Sequence, residues 1–211
     1  MSILSIGVIL SMSASAEAGF PIRIGGANSD YGEAVAVDSA GYIYAAGYFQ
    51  GTVNFGGIEK TASGDADNSA EVDVFLVKYS PIGDVKWVRT ISGAGTQMPH
   101  SLVVSGKNIY MIGNIADIAT FEGSDNPPLN AGAGRNAFVC KYDTDGNFVW
   151  AFQLGDEESG ELIADDDRFE DGFDLTTDSA GNIYITGTFN GTIDLDPSDG
   201  NDSSDTFTSN S

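Results

Sequence analysis

Residues able to carry chemistry are few. The chain of 211 residues has one histidine, His100, and one cysteine, Cys140. A Ser-His-Asp or Cys-His device would have to use His100. That residue follows Pro99 in a stretch with no nucleophile motif nearby, so a catalytic role for it is disfavoured. Cys140 lies in Phe138-Val-Cys-Lys-Tyr142, among alternating apolar residues, which predicts a buried small hydrophobe rather than a reactive thiol. A lone cysteine also forbids an intrachain disulfide.

Carboxylates are the abundant group. Asp194-Leu-Asp196-Pro-Ser-Asp199-Gly-Asn-Asp202 carries acids two and three apart around a glycine, partly in the manner of a calcium loop. The spacing is not that of an EF-hand and no glutamate follows at the right distance, so an Asp/Gly/Pro-rich loop between strands is the preferred reading. Asp143-Thr-Asp145-Gly-Asn147 also looks ion-binding, yet Ser80-Pro-Ile-Gly-Asp84 stands at the corresponding place with one carboxylate fewer, which argues for turn chemistry. Asp165 and Asp167 are of the type that serves a glycosidase, but nothing in the sequence places them in a cleft. There is no Gly-rich phosphate loop, Cys/His cluster or nucleophile elbow. The sequence therefore assigns no catalytic, cofactor-binding or metal residue and implies no cofactor.

Net charge supports this. The chain carries 31 acidic and 9 basic residues, for a charge of −22. Such a field repels phosphate backbones and anionic lipid heads, which excludes nucleic acid as an expected partner. It leaves solubility in a salty medium, turn-forming aspartates or attraction of cations as its meaning.

The elements that must position these residues repeat. Phe75, Lys78, Tyr79, Gly83 and Trp87 recur 63 positions later as Phe138, Lys141, Tyr142, Gly146 and Trp150. Ile43, Tyr44 and Gly47 recur at offset 66 as Ile109, Tyr110 and Gly113. Asp38–Thr52 returns at offset 140 as Asp178–Thr192, with ten of fifteen positions identical. Within a unit, Gly32–Asp38 and Tyr42–Phe49 read as strands around an Asp-x-x-Gly turn, in which Asp caps the backbone and Gly takes positive φ, and Gly51–Phe55 continues the second strand after a kink. Val74–Tyr79 and Val85–Ile91 read as a second hairpin turning at Pro81-Ile-Gly83. Phe75, Val77 and Tyr79 share one face, Lys78 points away, and Trp87 is expected in the core. In the second unit the first turn is degraded to Val104-Ser-Gly-Lys107. Phe20–Gly26 resembles the end of the recurring stretch and is expected to be the last strand of a preceding unit. Polar residues 56–72, 122–135 and 155–172 are expected as surface loops, the last one densely acidic.

Four short strands per unit, with no helical period, must stack on neighbouring units to bury their faces. Radial stacking of such sheets gives a β-propeller; a linear stack or a β-sandwich is the alternative. The expected fold is all-β, an incomplete propeller of about two and a half four-stranded meander blades, with units over 27–92, 93–155 and 156–211. Residues 1–18 are expected to be a signal peptide: Ile3–Met12 has the length of an h-region and Ala14-Ser-Ala16 fits a cleavage site, although a basic n-region is missing. That leaves 19–211 as the propeller region and implies a secreted or cell-surface location. No apolar run has the length of a transmembrane helix.

Asp178–Pro197, followed in each full unit by Phe-x-x-Lys-Tyr-x-x-x-Gly-x-x-x-Trp, resembles the bacterial SBBP-type β-propeller repeat. The resemblance covers about residues 20–211. It implies a place in a large exported or surface protein and supplies no catalytic set, because its motif positions are turn and core residues. With the smallest closed propellers having about four blades, further blades are expected from a longer chain or from oligomerisation. The function expected is that of a non-enzymatic binding or scaffold module, taking an extracellular protein or a carbohydrate on its rim loops. The alternative is part of a propeller enzyme, carbohydrate-active or quinoprotein-like, with its active site outside this chain.

Overall fold

The computed structural model describes residues 7–12, 18–64, 71–154, 171–189, 192–194 and 206–208. Among them there is no helix, and antiparallel strands account for the architecture. The protein is all-β, an incomplete propeller.

The first unit is a meander of β3 (Asp30–Val37), β4 (Ile43–Phe49), β7 (Asp73–Tyr79) and β8 (Val85–Ser92). The second is a meander of β9 (Gln97–Ser105), β10 (Asn108–Phe121), β11 (Leu129–Asp143) and β12 (Phe148–Leu154). The third contributes β13 (Asp171–Thr177) and β14 (Ile183–Thr188), a hairpin of the same register. Equivalent residues pair equivalently. Gly47 faces Phe75 and Tyr44 faces Lys78 in one unit; Gly113 faces Phe138 and Tyr110 faces Lys141 in the next.

Each unit also has an outer arm, and here the loops expected over 56–72 and 122–135 are corrected. In the first unit β5 (Thr52–Asn54) and β6 (Glu59–Thr61) extend the central hairpin, burying Val53, Phe55 and Ala62. In the second unit the same extension is absorbed into β10 and β11, so the true loop shrinks to 122–128. The strand expected over Gly51–Phe55 is present, with Val53 and Phe55 as its apolar face; the correction within 56–72 is its return strand β6. A further arm, β15 (Thr192–Asp194) with β16 (Thr206–Thr208), belongs to the third unit.

The arms stitch units together. Phe121 and Thr120 of β10 pair with Ile91 and Ser92 at the end of β8. In the same way Asn54 and Val53 of β5 pair with Gly25 and Gly26 of β2 (Ala18–Gly26). β2 thus occupies the place that β8 holds one unit later, which is where the sequence put it. Its other edge pairs with β1 (Gly7–Met12), inside the stretch expected as a leader; the remainder of that stretch lies outside the described residues.

The core is divided by the sheets. Tyr44, Ala46, Val74, Leu76 and Ile91 of the first unit pack against Leu102, Ile109, Met111, Phe138, Cys140 and Tyr142 of the second. Tyr110, Ile112, Ala137, Val139 and Leu154, their equivalents on the far face of the second unit, pack against Leu175 of the third. The opposite face of the first unit, with Ile43, Phe75, Val77 and Tyr79, closes on Phe49, Phe55 and Ile24. Burying both faces of a sheet requires neighbours on both sides, so the units stabilise one another as nearest neighbours.

Candidate functional site

The two Asp-x-x-Gly turns are built alike. Asp38 Oδ1 accepts the backbone N–H groups of Ala40 and Tyr42, both at 2.9 Å, and Asp38 Oδ2 accepts the Tyr44 hydroxyl at 3.1 Å. Asp178 repeats this with Ala180, Asn182 and Tyr184, and Asn182 Nδ2 adds a bond at 2.7 Å. The Asn182 side chain foremost, helped by these other donors, holds the Asp178 carboxyl below the usual carboxylate range. Asp143 is engaged in the same manner by the N–H groups of Asp145 and Asn147 and by Asn147 Nδ2. Slight burial pushes its carboxyl up, but the Asn147, Asp145 and Gly146 donors outweigh this and it lies low. The second unit's degraded turn is a tight Gly106-Lys107 reversal with Ser105 opposite Asn108.

The recurring Lys, Gly and Trp converge where one unit meets the next. Lys78 Nζ donates to the Thr144 carbonyl at 2.6 Å and lies over the Tyr42 and Tyr44 rings, 4.4 Å and 5.3 Å from their centroids. Trp87 Nε1 donates to the same carbonyl at 3.3 Å, and Arg89 Nε donates to the Gly146 carbonyl at 2.7 Å. The turn 143–147 of the second unit is thereby clasped by three donors of the first. Trp87, expected in the core, packs against it from this seam and is half-buried there. Its indole N–H needs an acceptor, and the seam supplies one that an apolar core would not. On the opposite rim Glu122 reaches back to accept from Thr90 N and Oγ1 and from Lys60 Nζ.

Among the residues that invited chemical readings, His100 Nε2 lies 3.0 Å from Asn114 Nδ2, and Asn114 Oδ1 accepts the Gly172 N–H across the second seam. Ser101 beside it donates to Asp174 at 2.6 Å. The Asn114–Gly172 and Ser101–Asp174 bonds join the second unit to the third, and the His100 contact lies within the second unit. Cys140 is buried, as its apolar setting required, and burial pushes its thiol up, away from the reactive thiolate. Asp165, Asp167 and residues 195–202 of the calcium-like run lie outside the described residues, while Asp194 ends β15. Among the described residues, no three His, Cys, Asp or Glu side chains are grouped as a metal site would need, and no helix is long and apolar enough to cross a membrane.

Two surfaces remain open. On the first unit Tyr31, Val35 and Val37 are exposed, although Leu102, the equivalent of Val35, is buried against the first unit. On the third, Tyr184 is 55% exposed, whereas its equivalents Tyr44 and Tyr110 are 0% and 5%.

No family model matches the chain. Over 124 residues it is 30% identical to an uncharacterized WD repeat-containing protein of Acanthamoeba polyphaga mimivirus. The match takes in 56% of this chain and spans 8% of that protein's length. WD repeats build four-stranded propeller blades, and this chain has the same blade plan without a Trp-Asp dipeptide. The likeness therefore lies in the propeller type of repeat, on which the sheet register of the two full units agrees.

Proposed function

We propose that this chain is a non-enzymatic propeller module of an exported or cell-surface protein, of the bacterial SBBP repeat type, serving as a scaffold that binds through its rim. The observation that carries this reading is that the recurring residues at the seam of the first two units have structural tasks. Phe75 and Phe138 fill the core, Lys78 and Trp87 hold the next turn, and Gly146 fits beneath Trp87. Repetition has thus multiplied a scaffold, leaving the variable segments, such as 122–128, for recognition. The ligands that suit an exposed acidic rim in an exported protein are an extracellular protein or a carbohydrate. The leader-like stretch at 1–18 supports export.

The test has two parts. Intact source cells are labelled with an impermeant amine-reactive biotin, and the chain should be labelled without lysis; labelling only after lysis overturns the surface location. The protein is then screened on a glycan panel and against extracellular proteins of the source, with the 122–128 segment replaced by Gly-Ser as control. Binding lost on replacement is expected. A turnover activity abolished by rim-loop mutation would overturn the non-enzymatic reading.

A further inference from the structure

Each unit carries a β-bulge at one place on its first strand. The register skips Glu33 between Gly32 and Ala34, His100 between Pro99 and Ser101, and Phe173 between Gly172 and Asp174. A bulge re-aims one side chain within an otherwise regular ladder. Between the second and third units that side chain is His100. Its Nε2 lies 3.0 Å from Asn114 Nδ2, while Asn114 Oδ1 accepts the Gly172 N–H at 3.1 Å. Asn114 and Gly172 are both buried.

These three groups fit together in one protonation state. A backbone N–H can only donate, so the Asn114 amide turns its oxygen to Gly172 and its NH2 to His100. Nε2 must then accept, which requires a neutral imidazole with its proton on Nδ1. A second proton on the ring sets two donors, Nε2–H and Nδ2–H, against each other. Turning the amide over only moves the conflict, because the Gly172 N–H then meets an NH2 group. The Gly172 backbone lies close against the second unit: a Cβ there would come within 2.5 Å of Ile112 Cγ1 and 3.4 Å of Ala137 Cβ. A partner lost at so buried an amide is not readily replaced by water.

We propose that His100, Asn114 and Gly172 form a proton-operated latch between the second and third units. With a neutral ring the β13–β14 hairpin is held on the second unit; a proton on His100 breaks the Asn114–Gly172 bond and loosens the packing of Leu175 on Ile112 and Ala137. The bond's contribution is present while the ring is neutral and is lost as pH falls. Imidazoles as a class take up that proton at about pH 6.5, which sets the range of the latch. The first seam lacks the device. Its equivalent places hold Glu33, Tyr48 and Pro99, and a proline has no N–H to satisfy. On the elements packed against β9, the charged groups at this end of the strands are Asp30 and Glu33 of β3, Asp73 of β7, Asp117 of β10 and Asp174 of β13. All are carboxyls, so none opposes a positive ring, and Lys78 of β7 is drawn away to the Thr144 carbonyl. The latch goes beyond rim binding and stands whether or not that reading does.

The test follows amide hydrogen exchange of the full chain at about pH 7.5 and about pH 5.5, on either side of the imidazole range, with rates corrected for the intrinsic effect of pH. Protection of Gly172 should fall about ten-fold at the lower pH, the share that one buried hydrogen bond supplies. The amides of Ile91 and Ser92, at the first seam, should keep theirs. Because the chain has a single histidine, its ring titration is read unambiguously by NMR and should share a midpoint with the loss of protection. His100→Gln offers an acceptor at either pH and should abolish the loss, although every carboxyl, Asp73 included, remains in that variant. Should the variant not fold, the shared midpoint decides alone. Protection of Gly172 that stays constant, that falls at a midpoint apart from the histidine's, or that falls equally in His100→Gln overturns the proposal. None of these results bears on surface labelling or rim binding.

Discussion

Lys78 of the first unit and Thr144 of the second are joined across the seam by a 2.6 Å bond from ammonium to backbone carbonyl. Sixty-three positions later the same lysine, Lys141, has no carbonyl to hold among the described residues. One side chain type thus stands in two environments within a single molecule. Lys78→Met should lower stability by about 1–2 kcal/mol, through the lost charged hydrogen bond and cation–π contacts. Lys141→Met should stay within about 0.5 kcal/mol of the parent. Urea unfolding followed by tryptophan fluorescence measures both, and equal losses would show that the seam bond contributes nothing.

Gly146 and Gly181 both have positive φ, 86° and 89°. Only Gly146 is also crowded, because a Cβ there would meet Trp87 Cδ2 at 2.9 Å, whereas nothing lies within 4 Å of one at Gly181. Gly181→Ala should cost about 1 kcal/mol, the strain of a left-handed alanine. Gly146→Ala should cost about 2–3 kcal/mol, since Trp87 is held in place and cannot yield freely. Paired thermal melts would separate the backbone part from the steric part.

Asp73 is buried, where its carboxylate accepts from Ser63 N and Oγ at 2.8 Å and 2.9 Å. Burial pushes its carboxyl up, and the hydrogen bonds from Ser63 and Gly93 only partly offset this. A folded carboxyl raised above its unfolded value stabilises while protonated, and that contribution is lost as pH rises through the folded value. The corresponding position in the second unit is Asn136. Asp73→Asn should therefore gain in melting temperature relative to the parent as pH is raised from about 4 to 7. A constant difference across that range would remove Asp73 from the pH dependence.

Cys140 should resist a thiol-specific reagent at pH 8 in the native protein and react at once in denaturant. Its burial among Met111, Phe138 and Tyr142, and its raised thiol, both oppose attack. Rapid labelling of the native chain, followed by intact mass, would mean that the seam between the first and second units opens readily.

Repeats made the fold readable before any coordinate. Phe75, Tyr79 and Gly83 fell where their spacing placed them, because turn glycines and period-two apolar residues are local signals. Two things were not fully legible. The outer arms were legible only in part: Gly51–Phe55 reads as a continued strand, but its return strand Glu59-Lys-Thr61 carries too short an alternation to stand out from a loop. The role of Lys78 and Trp87 was hidden as well: their partner is a backbone carbonyl of the next unit, and a carbonyl has no signature in sequence. The contrast between buried Tyr44 and exposed Tyr184 likewise depends on what stacks alongside, which no residue type encodes.

The clasp runs forward along the chain: Lys78 and Trp87 wait for a turn that is made later. A ribosome adds about 5–20 residues per second, so the 60 positions from Trp87 to Asn147 take about 3–12 s to synthesise. For that interval a nascent first unit carries an unfilled aromatic and cationic face. The first unit is thus finished only by its successor, and until then its newest face is the one open to wrong contacts.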